Sequence, residues 1–430
     1  MINNHYSILC VGILLLVAVP TATASGTISN ALSARSAGRG GTNLAFADNG
    51  VVLMDNAAGL ESLIGNTSGQ DTYIDLGGVG LFTDMNYRDE DNPRTDAYDN
   101  PSGLGHFMMG RRISEEIVFG FGAFAPAGFA SDYDLQGRPA SLPGEHHYYS
   151  FGALVRLLPG LSLRLTDRLT VGGTFGIAVS HIEIEGPYYL NSLPLRGTPT
   201  MLDLQSTGPA LSWSCGMQYA LTDRTTIGAR YQSENEFTST GKANVTIAGL
   251  GDSDYDVNVG LTWARSAGIG IKHDVDPCNR FSIDFIWEDW SDAYDSANLS
   301  FTNPSNPVFE MVAGPAIDEV FPLLWKDALI VSSGYEHDFG LDQTFRLGYR
   351  YQDNPVSSST ASTYLQTTLE HHFSIGYGFK HSGWLIDTAY QFAFAPDVHT
   401  QASVYPGGDY SNAVLKTQTH MVFLSAMRRF

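Results

Sequence analysis

The residues able to bind a metal or move a proton are few and scattered. His146-His147 and His371-His372 are adjacent pairs, but neither has a clear third ligand, so they read as loop histidines. Asp89-Glu90-Asp91, with Asp96 and Asp99, offers carboxylates that could hold Ca²⁺ or simply solvate an outer loop. Cys215 lies on an apolar strand face with Trp213, Met217 and Tyr219, and Cys278 lies in a predicted turn. Two free thiols are expected rather than a bridge. There is no Gly-x-Ser-x-Gly, His-Glu-x-x-His or Cys-x-x-Cys, and Gly120-x-Gly122 precedes no helix. No catalytic residue, metal or cofactor is therefore expected, and the chain does not read as an enzyme.

What chemistry remains is apolar. Leu190, Leu193, Leu195, Met201, Leu202 and Leu204 crowd the predicted loop Gly186–Ser206, and Val320, Phe321, Leu323, Leu324 and Trp325 close another. Such loops either offer a landing site to a greasy ligand or pack against each other. The candidate ligand-binding set is Leu190, Leu193, Leu195, Met201, Leu202, Leu204, Phe321 and Leu324.

The elements that must carry these loops are strands. From about Tyr73 onward, branched and aromatic residues alternate with Gly, Ser, Thr and charges, as in Phe373, Ile375, Tyr377 and Phe379 against Ser374, Gly376, Gly378 and Lys380. About fourteen candidate strands centre near residues 76, 108, 122, 153, 176, 214, 232, 263, 284, 332, 348, 375, 390 and 422. Connections after even-numbered strands are short, such as Thr166–Arg168 and Thr222–Arg224. Those after odd-numbered strands are mostly long, such as Thr83–Ser102, Phe129–Glu145 and Thr302–Leu324. A soluble sandwich has no reason to sort its loops by length, whereas a transmembrane barrel does. The last stretch, Leu415–Phe430, alternates and ends on an aromatic, so its open edge must be paired to close a barrel in lipid.

Composition agrees. The 430 residues carry only 16% charged side chains, and the net charge of −21 excludes nucleic acid as a partner. Ile8–Val19 is the only long apolar run, too short to span a bilayer as a helix, and Ala22-Thr23-Ala24 follows it. Residues 1–24 are therefore read as a secretory signal peptide. Residues 25–70 have no sustained period-2 pattern and are rich in Gly, Ala, Ser and Asn. A barrel this wide cannot be filled by its own side chains, so this segment is expected to plug it, leaving 71–430 as the wall. Pro126 and Gly128 follow Gly120–Ala125 on the third strand. They mark either a hole in the wall or merely the loop end of the strand.

The chain resembles the outer-membrane long-chain fatty acid and hydrophobic-compound transporters of the FadL/TodX type. The resemblance rests on Trp325-Lys326-Asp327-Ala328, on Phe345 through Val356, on Arg230-Tyr231-Gln232-Ser233 followed by Gly241, and on Trp287-Glu288-Asp289-Trp290-Ser291. It implies an all-β, transmembrane antiparallel barrel of about fourteen strands with an N-terminal hatch, which Gly38–Leu60 would form. It implies capture of hydrophobic molecules by outer loops, hatch movement, and exit into the outer membrane at a kinked third strand. Gly186–Ser206 and Gly249–Asp254 would supply the capture groove, Phe46, Asn56, Ala57 and Ala58 the gate, and Pro126 and Gly128 the lateral opening.

Two departures stand out. The hatch's usual Asn-Pro-Ala is Asn56-Ala57-Ala58 here, and the positions of the family's fatty-acid-binding basic residues, near Gly186, Pro187 and Phe321, are not basic. A carboxylate would want Arg or Lys there, so fatty acid, hydrocarbon and aromatic cargo all stay open. The expected partners are such molecules and outer-membrane lipid, for a monomer in the outer membrane of a Gram-negative bacterium. A lipid-hydrolysing barrel and a surface adhesin or structural barrel are the alternatives.

Overall fold

The computed structural model describes residues 31–64, 71–98, 101–137, 142–192, 195–340, 342–366, 369–408 and 410–430. The signal-peptide expectation lies outside these residues, as do Leu193 and Asp99. Fourteen strands form the wall: β1 (Thr72–Arg88), β2 (Ser102–Arg112), β3 (Ile117–Gln136), β4 (Glu145–Arg164), β5 (Leu169–Tyr189), β6 (Pro199–Thr222) and β7 (Thr225–Gln232), then β8 (Ser266–Asp274), β9 (Asn279–Glu288), β10 (Ala328–Gly340), β11 (Gln343–Gln352), β12 (His371–His381), β13 (Trp384–Phe394) and β14 (Val414–Arg429). Each pairs antiparallel with the next, and β14 pairs with β1 from Tyr73 opposite Arg429 to Arg88 opposite Val414. The sheet therefore closes on itself, and its C-terminal edge is satisfied by its N-terminal one.

Alternation decides which side of the wall each residue faces. On β14, Val422 and Leu424 are exposed while Met421, Phe423 and Ser425 are buried. The outward belt includes Phe175, Leu211, Ile269, Phe281, Phe285, Leu347, Phe373 and Ile375. Inward positions at this level carry Arg346, Asp387, Asp284, Ser282 and Gln218 instead. Apolar outside and polar inside is the polarity of a strand that crosses lipid.

Above this belt the wall continues as four outer strands, Asn235–Ile247, Gly251–Trp263, Ser296–Thr302 and Ala316–Pro322. Here the polarity inverts. Val257, Val259, Leu261 and Trp263 point inward and are buried, while Asp252 and Asp254 are exposed. The long connections are accordingly shorter than the sequence pattern predicts. Predicted loop Gly186–Ser206 contracts to 190–198, and Thr302–Leu324 contains a helix, Pro307–Ala313, and an outer strand. The strands outrun the membrane because their upper parts have a greasy interior of their own to bury.

Residues 31–64 lie inside the barrel. They form α1 (Ala34–Gly38), α2 (Val52–Asp55), the single turn Ala57–Gly59 and α3 (Leu60–Ile64). One side is apolar: Leu32, Leu53, Leu60 and Ile64 pack with Met108, Val118, Phe124 and Leu158 of β2–β4. The other side is polar and meets β9–β13. The amides of Asn43 and Leu44 donate to Asp284 Oδ2 (2.7 and 3.0 Å), and Arg39 Nη1 donates to Glu336 Oε2 (3.2 Å).

Candidate functional site: an apolar cavity, a broken strand and a charged plug

The upper interior holds an apolar cavity with a volume of about 80 Å³. It is built where β3, β5 and β6 outrun the membrane and meet the outer strands. Phe129, Ile182, Leu204, Leu261, Phe301 and Phe321 are among its walls, and Tyr364 and Leu365 of an inward-folded loop close one side. That loop is held by Ser131 Oγ donating to Thr363 O (2.5 Å) and Ser150 Oγ to Tyr364 O (2.6 Å). Its tyrosine hydroxyl donates to Pro187 O (2.9 Å), and Tyr188 OH donates to Glu319 Oε2 (3.0 Å). No Lys, Arg or His lines this cavity among the described residues.

Of the sequence candidates, Leu202, Leu204 and Phe321 line the cavity. Leu190 and Leu195 pack in the adjoining cluster with Val245, Tyr255 and Phe309. Met201 is half-buried on the opposite face of β6, and Leu324 is exposed with a left-handed φ of 49°. Neither reaches the cavity. Six of its sixteen lining residues, Val259, Leu261, Leu299 and Phe301 among them, come from outer strands whose alternation was the available signal. Gly249–Asp254 is a turn leading into one of those strands.

Beside the cavity, β3 is broken. Its ladder with β4 shifts register between Phe124 and Ala127, where Phe124 faces Arg156 but Ala127 faces Leu154. One extra residue on β3 is a bulge. The ladder with β2 covers Val118–Phe124 only, and β2 residues 102–105 pair with β1 alone. Pro126 and Gly128 thus sit inside a strand of 20 residues, not at its loop end. Pro126, having no N–H, falls where the β2 ladder has already stopped. Phe129, three residues on, faces the cavity.

Below lies the plug. Asn56 Nδ2 donates to Leu44 O (2.7 Å) and to Met217 O on β6 (3.1 Å), and Ala58 O accepts from Ser162 Oγ (2.9 Å) on β4. Ala57 and Ala58 lie against Gly172, where a Cβ would come within 2.5 Å of the Ala58 nitrogen. Phe46 lies at the short-turn side, its ring under the Arg39 guanidinium at 3.8 Å. Arg39 grips Asp48 with two bonds (2.8 and 2.9 Å). Burial pushes the Asp48 carboxyl up, but Arg39 and Arg35 hold it well below the usual carboxylate range. Arg346 joins wall to wall, Nε to Glu336 (2.6 Å) and Nη1 to Asp387 (2.7 Å), and Arg35 of the plug shares Asp387 (3.1 Å).

The remaining chemical candidates are tied locally. His147 faces Asp134 (3.1 Å), His371 accepts or donates to Tyr349 OH (2.9 Å), and Asp89 Oδ1 accepts from the Asn92 amide (2.7 Å). Cys215 and Cys278 are free.

Residues 15–430 match the profile described as outer membrane protein transport protein (OMPP1/FadL/TodX). The chain belongs to this family. It is a family of transporters, not enzymes, and its members reside in the outer membrane. Solved structures agree on the fold. The Ralstonia pickettii toluene transporter TbuX superposes with a TM-score of 0.73 at 18% identity, covering 93% of this chain and 99% of that one. For the Pseudomonas putida toluene transporter TodX the values are 0.75, 18%, 94% and 98%. For a Pseudomonas aeruginosa FadL homologue they are 0.76, 16%, 94% and 100%. No curated protein matches by sequence.

Proposed function

We propose that the barrel passively carries hydrophobic molecules, hydrocarbons foremost, from the outer surface into the outer membrane. The observation that carries this reading is the carbon-lined cavity directly beside the β3 break. A cavity without a cation favours neutral cargo, because a carboxylate there would be buried unpaired. TbuX and TodX, which share the fold, are toluene transporters. In this reading Leu190, Leu195, Leu202, Leu204 and Phe321 receive cargo from the outer loops. The plug residues Phe46, Asn56, Ala57 and Ala58 shift to admit it, and Pro126 and Gly128 mark the lateral exit. The protein works as a monomer, with outer-membrane lipid as the acceptor.

The test is uptake of radiolabelled toluene, hexadecane and palmitate by cells with and without the protein. A companion variant deletes Ala125, removing the extra residue of the β3 bulge. Uptake of hydrocarbons should depend on the protein and fall several-fold in the deletion. Equal uptake with and without the protein would end the transport reading. Unchanged uptake in the deletion would end the lateral exit alone.

A further inference from the structure

Beneath the walls of the apolar cavity the inward side chains change from carbon to hydroxyl. Ser180 lies two residues below the wall residue Ile182 on β5, and Ser206 two residues below Leu204 on β6. Ser239, on the outer strand Asn235–Ile247, stands opposite the wall residue Val259. Trp263 follows the wall residue Leu261 at the lower end of the next outer strand. The four are 1%, 2%, 1% and 3% exposed. Among the described residues, neither the three hydroxyls nor the Trp263 Nε1–H has a hydrogen-bond partner. Lower on β5 and β6, by contrast, Thr174 and Ser214 share a bond (2.7 Å).

Register brings these groups into one arc. Ser180 faces Gly208 on β6, and Thr207 faces Thr240, which sets Gly208 beside Ser239. A Cβ on Gly208 would lie 2.7 Å from Ser239 Oγ, so the glycine leaves that hydroxyl uncovered. On its other side Ser180 faces Leu154, and Leu154 faces Ala127, the first paired residue past the β3 break. The arc therefore lies along the row that joins the cavity floor to the break. A buried hydroxyl without a partner is costly and marks a place for an arriving donor or acceptor. Serine hydroxyls both donate and accept, the indole N–H donates, and none carries charge. A neutral oxygen suits such a set. A bare hydrocarbon would leave it unsatisfied, and a carboxylate would be buried there without a counter-charge. Arg156, one step further down β4, spends Nη2 on Asn235 Oδ1 (3.0 Å). One step above, Leu204 is flanked by Ile184 and Ala243, so the walls themselves stay carbon.

We propose that Ser180, Ser206, Ser239 and Trp263 form a subsite for a neutral oxygen on the cargo, that of an alcohol or a ketone, while the hydrocarbon part stays in the cavity above. This rests on the transport reading and narrows its cargo to include oxygenated hydrocarbons.

The experiment uses the full barrel in phospholipid nanodiscs, free of ether detergents whose own oxygens would compete. Calorimetry measures ethylbenzene, 2-phenylethanol, acetophenone and phenylacetate, ligands with the same carbon count. Wild type is compared with the triple variant Ser180→Ala/Ser206→Ala/Ser239→Ala and with Trp263→Phe. For each ligand, the ratio of variant to wild-type constants cancels partition into lipid. The alanines remove hydroxyls that are already unpaired, so the triple variant should unfold at no lower temperature than wild type. The alcohol and the ketone should bind it about tenfold more weakly, the loss of one or two hydrogen bonds, with ethylbenzene within about twofold. Trp263→Phe keeps a ring without the N–H and should weaken the same two ligands by about threefold, which keeps the test valid if the triple variant does not fold. An alcohol and a ketone unmoved by both variants, with ethylbenzene still bound, overturn the subsite and leave the transport reading standing. Phenylacetate binding wild type more tightly than 2-phenylethanol would show that charge is recognised, and overturns the neutral-oxygen assignment. Wild type binding none of the four removes the transport reading, and the subsite with it.

Discussion

Gly348 of β11 and Gly40 of the plug touch backbone to backbone: a Cβ on Gly348 would lie 2.0 Å from the Gly40 nitrogen. Gly40 itself has φ of 67°, a left-handed conformation that a side chain would strain. The plug is thus seated against bare backbone. Gly348→Ala should unseat it at a cost of about 1–3 kcal/mol, the usual penalty of overpacking. The barrel should still run as a folded, heat-modifiable band. Ion conductance of single channels in a planar bilayer should rise several-fold, and unchanged conductance would mean that the plug accommodates the methyl group.

Arg346 is the second support. Its removal as Arg346→Met leaves Glu336 with Arg39 and Arg280, but leaves Asp387 with only Arg35 as an ion-pair partner among the described residues. Breaking a buried pair in this way costs roughly 3–5 kcal/mol. Pairing it with Asp387→Asn should restore part of that, because the stranded charge goes too. Arg94→Ala, at an exposed pair with Asp96, should change stability by less than about 0.5 kcal/mol. Guanidinium unfolding of the three variants measures all three claims.

How much of this could be read from the residues follows from what the membrane enforces. Lipid demands period 2 over every crossing, so β14, β12 and β11 announced themselves. Loop length sorted the two rims. Where lipid ends, that rule ends. Arg230 and Gln232 point inward on β7, but after Ser233-Glu234 the inward residues are Asn235 and Phe237. Trp263 points inward, and after Ala264-Arg265 so does Ser266. Each break shifts parity by one and changes a polar lining to an apolar one. Strand centres placed near 232 and 263 fall on those breaks, so the apolar walls above went unread. Pro126 looked equally like a turn, because its harmlessness depends on where a neighbouring ladder stops. The plug's contacts were out of reach for another reason: Arg39 and Glu336 are 297 residues apart.

Asp55 gives the plug a pH dependence. Burial pushes its carboxyl up to about 6, only partly offset by Arg230 and Asn43. A carboxyl raised above its unfolded value binds its proton more tightly when folded. Its contribution therefore favours the docked plug at low pH and is lost as pH rises through about 6, by up to roughly 3 kcal/mol. Hydrogen exchange of plug amides, corrected for intrinsic rate, should show more protection at pH 4.5 than at pH 7.5. Asp55→Asn should flatten that difference. Asp48, held low by its arginines, gives no such change over the same range, so a dependence that survives Asp55→Asn would point elsewhere.

Two leucines that look alike in sequence separate the cavity from its rim. Leu204 is 1% exposed and lines the cavity, whereas Leu324 is 40% exposed and points away. Leu204→Asn places an amide against carbon on every side, with no partner to satisfy it, and the same amide at Leu324 stays in water. Hydrocarbon binding should weaken at least tenfold in Leu204→Asn, equivalent to about 1.4 kcal/mol, and stay within about twofold of wild type in Leu324→Asn. Fluorescence quenching by a brominated alkane, read from Trp263 and Trp290 nearby, gives both constants. If the two variants bind alike, cargo does not dwell between β6 and the outer strands, and capture must take place on the loops alone.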